Sequence, residues 1–278
     1  MKTLGVVGLG LIGGSLVKAY ERSEDWKIYG YDRDSRITQL ALLAEDIEEE
    51  LTRDNIGEVD LLLLALYPKA TVDYLQEMGK YISKDTLVID CCGVKRYVCD
   101  RLYPAFAGSQ AVFMGGHPMA GRERSGFSFA QDDLFENASM ILAPAPGTDV
   151  ETIRRAKEIF LSVGFGRVRF TTPLEHDEMI AFTSQLAHVV SSAYVKTPLA
   201  PKHKGFSAGS FRNMTRVARL NETMWTELFL ENDDLLLGET QNLIDRLTEY
   251  RDALRDRDGE KLKSLLRDGR EIKEALED

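Results

Sequence analysis

An apolar run at residues 4–7 leads directly into Gly8-Leu9-Gly10-Leu11-Ile12-Gly13, and a helical pattern follows. No other feature restricts the possible fold so strongly. The glycines act separately. Gly8 makes a tight turn, Gly10 leaves the backbone open to a diphosphate, and Gly13 lets helix and strand pack closely. The helix start then offers free N–H groups and the positive end of its dipole to an anion. A second run, 27–31, ends at Asp32, 19 residues after Gly13. A carboxylate there binds a ribose 2′-hydroxyl and repels a 2′-phosphate. The spacing therefore predicts a dinucleotide site formed by Gly8, Leu9, Gly10, Leu11, Ile12, Gly13 and Asp32. NAD is favoured over NADP, with Arg33 and Arg36 near enough to soften that choice.

The rest of the first 170 or so residues alternates in the same way. Apolar runs at 59–66, 86–90, 111–114, 139–143 and 167–171 continue the series, with helical patterns at 13–22, 35–44, 69–81 and 95–103. Several runs are apolar throughout, as strands buried on both faces of a parallel sheet must be. This predicts an α/β fold with a doubly wound, Rossmann-type parallel sheet. After Pro173 strand signals fade, and helices are expected at 175–195, 211–220, 222–255 and 259–276. The chain divides into a dinucleotide-binding domain, 1–173, and an all-helical domain, 174–278. The stretch 197–210, rich in Pro, Lys, Gly and Ser, is long and unusual for a connector and is a candidate site loop.

Composition narrows the function. A formal net charge of -10 argues against nucleic-acid or anionic-membrane partners. No apolar run reaches transmembrane length, and glycines interrupt the apolar N-terminus where a signal peptide would be continuous. The three cysteines, Cys91, Cys92 and Cys99, form neither a disulfide framework nor a CxxC metal pair, so a reducing, cytoplasmic setting and no metal are expected.

There are four histidines. His117 follows the 111–114 run in Gly115-Gly116-His117-Pro118-Met119-Ala120-Gly121, at the strand end where open sheets bind ligands, and is suited to proton transfer near neutral pH. His188 shares a small, polar helical stripe with Ser184 and Ser191, opposite Phe182, Leu186, Val189 and Ala193. Arg212, Arg216 and Arg219 recur at i, i+4 and i+7, and their planar forks suit carboxylates. No HExxH pair is present.

Four segments resemble the prephenate/arogenate dehydrogenase family: Val6–Leu16 around the glycine loop, Gly116-His117-Pro118-Met119-Ala120-Gly121, DEMIAFTSQLAH from Asp177 to His188, and FRNMTRVARLNETMW from Phe211 to Trp225. The resemblance implies oxidative decarboxylation of prephenate with NAD as cofactor, or of arogenate as the alternative. It implies that His117 is catalytic and hydrogen-bonds the ring hydroxyl. It assigns Arg216 to a substrate carboxylate, His188 to a second active-site position, and Glu123, Gly209 and Trp225 to the substrate pocket. Ala65 and Gly93 join the cofactor residues. The helical domain is then the dimerisation domain of a homodimer, and the substrate is a small dicarboxylate. The chain departs from the family at Gly93, where a serine hydroxyl usually contacts the catalytic histidine. It departs also at Gln185 and Ala187, which replace the usual His and Pro. No regulatory domain is expected after the helices. Lys202, His203 and Lys204 favour an anionic side chain, hence prephenate. Two rivals fit less well: a 3-hydroxyacid-type dehydrogenase requires a KxxxN helical motif, and a redox-sensing regulator requires a basic DNA-binding segment.

Overall fold

The computed structural model describes residues 1–23, 25–109, 111–122 and 124–277. Glu123, one of the expected pocket residues, lies outside them. Two compact units emerge, 1–232 and 233–278.

The first unit is built on an eight-stranded sheet in the order β3-β2-β1-β4-β5-β6-β7-β8. The strands are β1 Lys2–Val7, β2 Trp26–Tyr31, β3 Glu49–Glu50, β4 Leu61–Leu64, β5 Leu87–Asp90, β6 Val112–Pro118, β7 Ser139–Pro144 and β8 Arg167–Phe170. All neighbours run parallel except β6 and β7. That antiparallel pair departs from the all-parallel expectation, because strand direction leaves no trace in local hydrophobic pattern. The helices α1 Leu11–Glu21, α2 Ser35–Leu43, α3 Pro68–Met78, α4 Arg96–Phe106 and α5 Val150–Ser162 accompany it.

The four consecutive leucines of β4 explain its unbroken apolar run. Leu61 and Leu63 enter one core cluster, and Leu62 and Leu64 enter the other. Both faces are therefore covered, and each buried leucine contributes about 1.5–3 kcal/mol. The order of strands reverses between β1 and β4, so ligand space opens at their carboxyl ends. Gly8 and Ala65 stand there: Gly8 has φ +89°, and a Cβ added to it would lie 2.6 Å from the Ala65 carbonyl oxygen.

Helices follow: α6 Pro173–Ile180, a π-helical segment Ala181–Leu186, α7 Ala187–Tyr194, α8 Gly209–Thr215 and α9 Glu222–Leu230. The expected helix at 175–195 thus carries one wide i→i+5 turn. That turn shifts the phase of the residues around it. Phe182 is 58% exposed while Gln185 and Ser191 are buried, which overturns the expected apolar face. The expected helix at 211–220 stops at Thr215, so Arg219 shares no helical face with Arg212. The expected single helix over 222–255 breaks at Glu231-Asn232. There the buried Asn232 side chain donates to the Asp177 carbonyl at 3.0 Å and to Gln185 Oε1 at 2.8 Å.

The second unit consists of α10 Asp233–Arg255 and α11 Gly259–Ala275, joined by a hydrogen bond from the Tyr250 hydroxyl to the Leu265 carbonyl. Leu237, Ile244, Leu247 and Leu254 recur along α10 at heptad-like spacing and are 49–70% exposed. Among the described residues no helix is long and apolar enough to cross a membrane.

Candidate active site

Three helices begin at the carboxyl ends of neighbouring parallel strands: α1 after β1, α3 after β4 and α4 after β5. Each leaves N–H groups without intrahelical partners. The three ends are treated differently. On α3 the Lys69 N–H donates to Glu227 of α9 at 2.9 Å. On α4 the Lys95 and Arg96 N–H groups donate to the two Asp177 carboxylate oxygens at 2.7 and 2.8 Å. Carboxylates of the later helices therefore occupy two of the three sites. By contrast α1 has Gly10 at its cap position and no side-chain cap. A Cβ at Gly10 would meet nothing within 4 Å, so the space above that turn is open.

Asp32 lies beside this opening. Its Oδ2 accepts from the Leu9 N–H and its Oδ1 from the Asp34 N–H, both at 2.9 Å. Each oxygen keeps a second lone pair. The carboxylate is thus held in place by backbone and still able to accept from a ribose hydroxyl. An uncapped helix start, an open glycine turn and a fixed acid fit a dinucleotide diphosphate and its adenosine ribose.

Further along the same edge, β6 delivers His117. Gly115 and Gly116 precede it because the strand passes tightly over its neighbours: a Cβ on Gly116 would overlap the Asp90 carbonyl oxygen. Beneath lies a fully buried ion pair between Lys95 and Asp90. Asp90 also accepts from the Cys92 N–H at 2.9 Å and from the Gly116 N–H at 3.1 Å, so the pair ties the β5 and β6 ends together. His117 retains a partly exposed face. Its Nδ1 lies 2.9 Å from His176 Nε2, and His176 Nδ1 lies 2.7 Å from Asp177 Oδ1. Burial, then His176, then the Lys95 charge hold the His117 pKa well below its ordinary 6.5. It is a neutral imidazole at neutral pH, able to accept a proton. Burial also lowers His176, with Asp177 opposing.

A second cluster forms on α7 and α9. His188 Nδ1 donates to the Ser184 carbonyl at 2.7 Å. The His188 ring lies 3.9 Å, centroid to centroid, from Trp225. Its pKa is lowered by burial and, more weakly, by the Arg216 guanidinium, while the Ser184 carbonyl opposes the shift. The fold therefore brings His188, Trp225 and Arg216 together. Leu228, one turn beyond Trp225, would meet a Cβ at Gly93 at 3.3 Å, and its carbonyl accepts from Gln185 at 2.8 Å. This contact links the second cluster to the 90–95 loop beneath His117. Gly209 opens α8, and a Cβ there would stand in open space.

Residues 17–169 match the family model described as prephenate dehydrogenase, nucleotide-binding domain, and residues 172–268 match the model described as prephenate dehydrogenase, dimerization domain. The chain belongs to the prephenate dehydrogenase family. Prephenate dehydrogenase from Lactococcus lactis subsp. cremoris is 30% identical over all of this chain and 78% of its own length. Cyclohexadienyl dehydrogenase from Zymomonas mobilis is 29% identical over 99% of this chain and 96% of its own. Among solved structures, prephenate dehydrogenase from A. aeolicus in complex with hydroxyphenyl propionate and NAD+ superposes with a TM-score of 0.87. It shares 28% identity and covers 100% of this chain and 99% of its own. The family expectation, drawn from the HPMAG loop and the segment ending at Trp225, is borne out.

Within this prephenate dehydrogenase fold, several structural residues have no part in the expectations drawn from sequence. His176 and Asp177 are the chief omissions. Their signal is an adjacent His-Asp pair just after the Thr172 cap and Pro173, where a helix begins. Asn232 is also missing from those expectations, and Gln185 figures there only as a departure from the family: their amides join α6, α9 and the π-helical segment, and Arg96 donates to Asn232 Oδ1 at 2.8 Å.

Proposed function

We propose that the chain oxidatively decarboxylates prephenate to 4-hydroxyphenylpyruvate with reduction of NAD, on the path to tyrosine. The observation that carries this reading is His117: a neutral imidazole at the carboxyl edge of the sheet, three strands or about 14 Å from the Gly8 turn. A dinucleotide lying with its diphosphate on α1 extends along that edge toward His117. The A. aeolicus relative, solved with NAD+ and hydroxyphenyl propionate, supports the choice of NAD and of a hydroxyphenyl-type ligand.

Gly8, Leu9, Gly10, Leu11, Ile12, Gly13, Asp32, Ala65 and Gly93 are the residues proposed to hold the cofactor. When bound, NAD supplies the acceptor for the hydride that leaves the ring carbon bearing the hydroxyl. His117 accepts the hydroxyl proton, which assists that departure by roughly 10²- to 10⁴-fold. Loss of carbon dioxide then aromatises the ring and makes the step effectively irreversible. Arg216 grips a carboxylate with its planar fork, His188 and Trp225 form the adjoining wall, and Gly209 leaves room for the substrate side chain. Asp32 disfavours the 2′-phosphate of NADP.

The helical part of the chain, 174–278, is proposed as the dimerisation domain of a homodimer and 1–173 as the nucleotide domain. The exposed heptad-spaced leucine and isoleucine stripe of α10 supports this, as an apolar seam of that kind is covered by a partner helix. Cys91, Cys92 and Cys99 are free thiols, as suits a reducing cytoplasm.

The test is NADH formation, followed by absorbance, with prephenate and with arogenate, and with NAD and NADP. Prephenate with NAD is expected to give the highest kcat/KM. Absence of turnover with either substrate would remove the assignment. Arg216→Gln is expected to raise KM about 10- to 100-fold with kcat within a few-fold, because a charge-assisted hydrogen bond contributes roughly 1.5–3 kcal/mol. Steady-state kinetics of that variant checks it.

A further inference from the structure

A general base is useful only if the correct nitrogen faces the substrate, and the neighbours of His117 determine which one does. Asp177 is a carboxylate and can only accept hydrogen bonds. Its oxygens take the N–H groups of Lys95 and Arg96, with Arg96 Nε 3.4 Å from Oδ2. Its contact with His176 at 2.7 Å therefore requires the proton on His176 Nδ1. His176 is 2% exposed. In its neutral form Nε2 carries a lone pair and no proton. That nitrogen lies 2.9 Å from His117 Nδ1, so the proton between the two rings belongs to His117 Nδ1. His117 Nε2 is then bare.

We propose that His176, itself locked by Asp177, is the positioning residue that keeps His117 in the Nδ1–H form and turns its bare Nε2 toward the substrate hydroxyl. The proposal rests on His117 being the base of the proposed reaction. In the transfer the substrate O–H bond breaks and an N–H bond forms at Nε2. The resulting imidazolium keeps its Nδ1–H donating to His176. Gly93 has no side chain that could compete for a histidine, and a Cβ there would press on Leu228 at 3.3 Å. The Asp177 end is rigid because it also caps α4, so helix start and tautomer are fixed by one carboxylate.

The test combines the protonation state of the rings with kinetics. The chain has only four histidines, so long-range ¹H–¹⁵N spectra of protein labelled at histidine are readily assigned. Wild type is expected to show His117 protonated at Nδ1 and bare at Nε2 near neutral pH. His176→Leu removes the acceptor and is expected to lower kcat by roughly 10²-fold, leaving the KM for prephenate and NAD within about twofold. His176→Gln retains a carbonyl acceptor near the same place and is expected to recover most of the lost rate. A wild-type His117 protonated at Nε2 would overturn the proposal, as would a His176→Leu variant that is folded by circular dichroism and turns over at the wild-type rate. If leucine is not tolerated, the wild-type spectrum and the glutamine variant still decide. The ring spectrum needs no turnover, so it separates this proposal from the assignment of the reaction.

Discussion

Replacing His117 with asparagine is expected to lower kcat by about 10²- to 10⁴-fold with KM changed less than about threefold. Asparagine keeps a hydrogen-bonding amide of similar reach to Nδ1 but has no group that accepts a proton near neutral pH. Binding to Arg216 and to the α1 turn is untouched, so the loss falls on the chemical step. The pH profile carries a second expectation. Burial and the Lys95 charge disfavour the imidazolium at position 117. The acid limb of kcat/KM set by this residue therefore lies well below pH 6.5, and activity persists into mildly acidic buffer. Stability follows the same sign. His117, His176 and His188 all have lowered pKa values, so the unfolded chain binds more protons than the folded one below about pH 6.5. Stability is then full above that pH and declines on acidification. Steady-state kinetics across pH and thermal melts across the same range check both.

Gly13→Ala is expected to damage fold and cofactor binding together. A Cβ at Gly13 would overlap the Gly8 carbonyl oxygen and lie 3.1 Å from the Ala65 Cβ. Those atoms are backbone and a strand end rather than the tip of a flexible side chain, so α1 must move away from β1. Overpacking of this kind costs roughly 1–3 kcal/mol. The displaced helix start also carries the N–H groups meant for the diphosphate, and NAD affinity is expected to fall more than tenfold. Gly10→Ala provides the contrast. Its Cβ would enter open space within the protein, so the melting temperature is expected to hold while NAD affinity falls, because the methyl group stands where a diphosphate approaches. Calorimetric titration with NAD and thermal melts of the two variants separate the effects.

What can be read from residues alone follows the reach of each signal. The β4 leucines and the Gly8-to-Gly13 turn are local patterns with one structural solution, and they point to the sheet and the dinucleotide site. The helix α5 is absent from the expected elements although its signal is local too: Asp149 caps it through the Thr152 N–H, two residues after the breaker sequence Pro144-Ala145-Pro146-Gly147. The antiparallel β6–β7 pair, the wide turn at 181–186 and the break at Asn232 depend on tertiary partners. Phe182 illustrates the cost: a regular 3.6-residue repeat puts it on an apolar face, and one π turn rotates it outward. The same extrapolation, carried beyond the true end of α8, groups Arg219 with Arg216. His176 escapes because its partner is 59 residues away at His117, a distance no helical or strand period spans.

The most direct measurement is a crystal structure of the chain with NAD and hydroxyphenyl propionate. The proposed arrangement predicts His117 Nε2 about 2.6–3.2 Å from the phenolic oxygen, the nicotinamide ring against the same carbon, and the ligand carboxylate on Arg216. An imidazole turned into a separate cavity, or a carboxylate held far from Arg216, would contradict it.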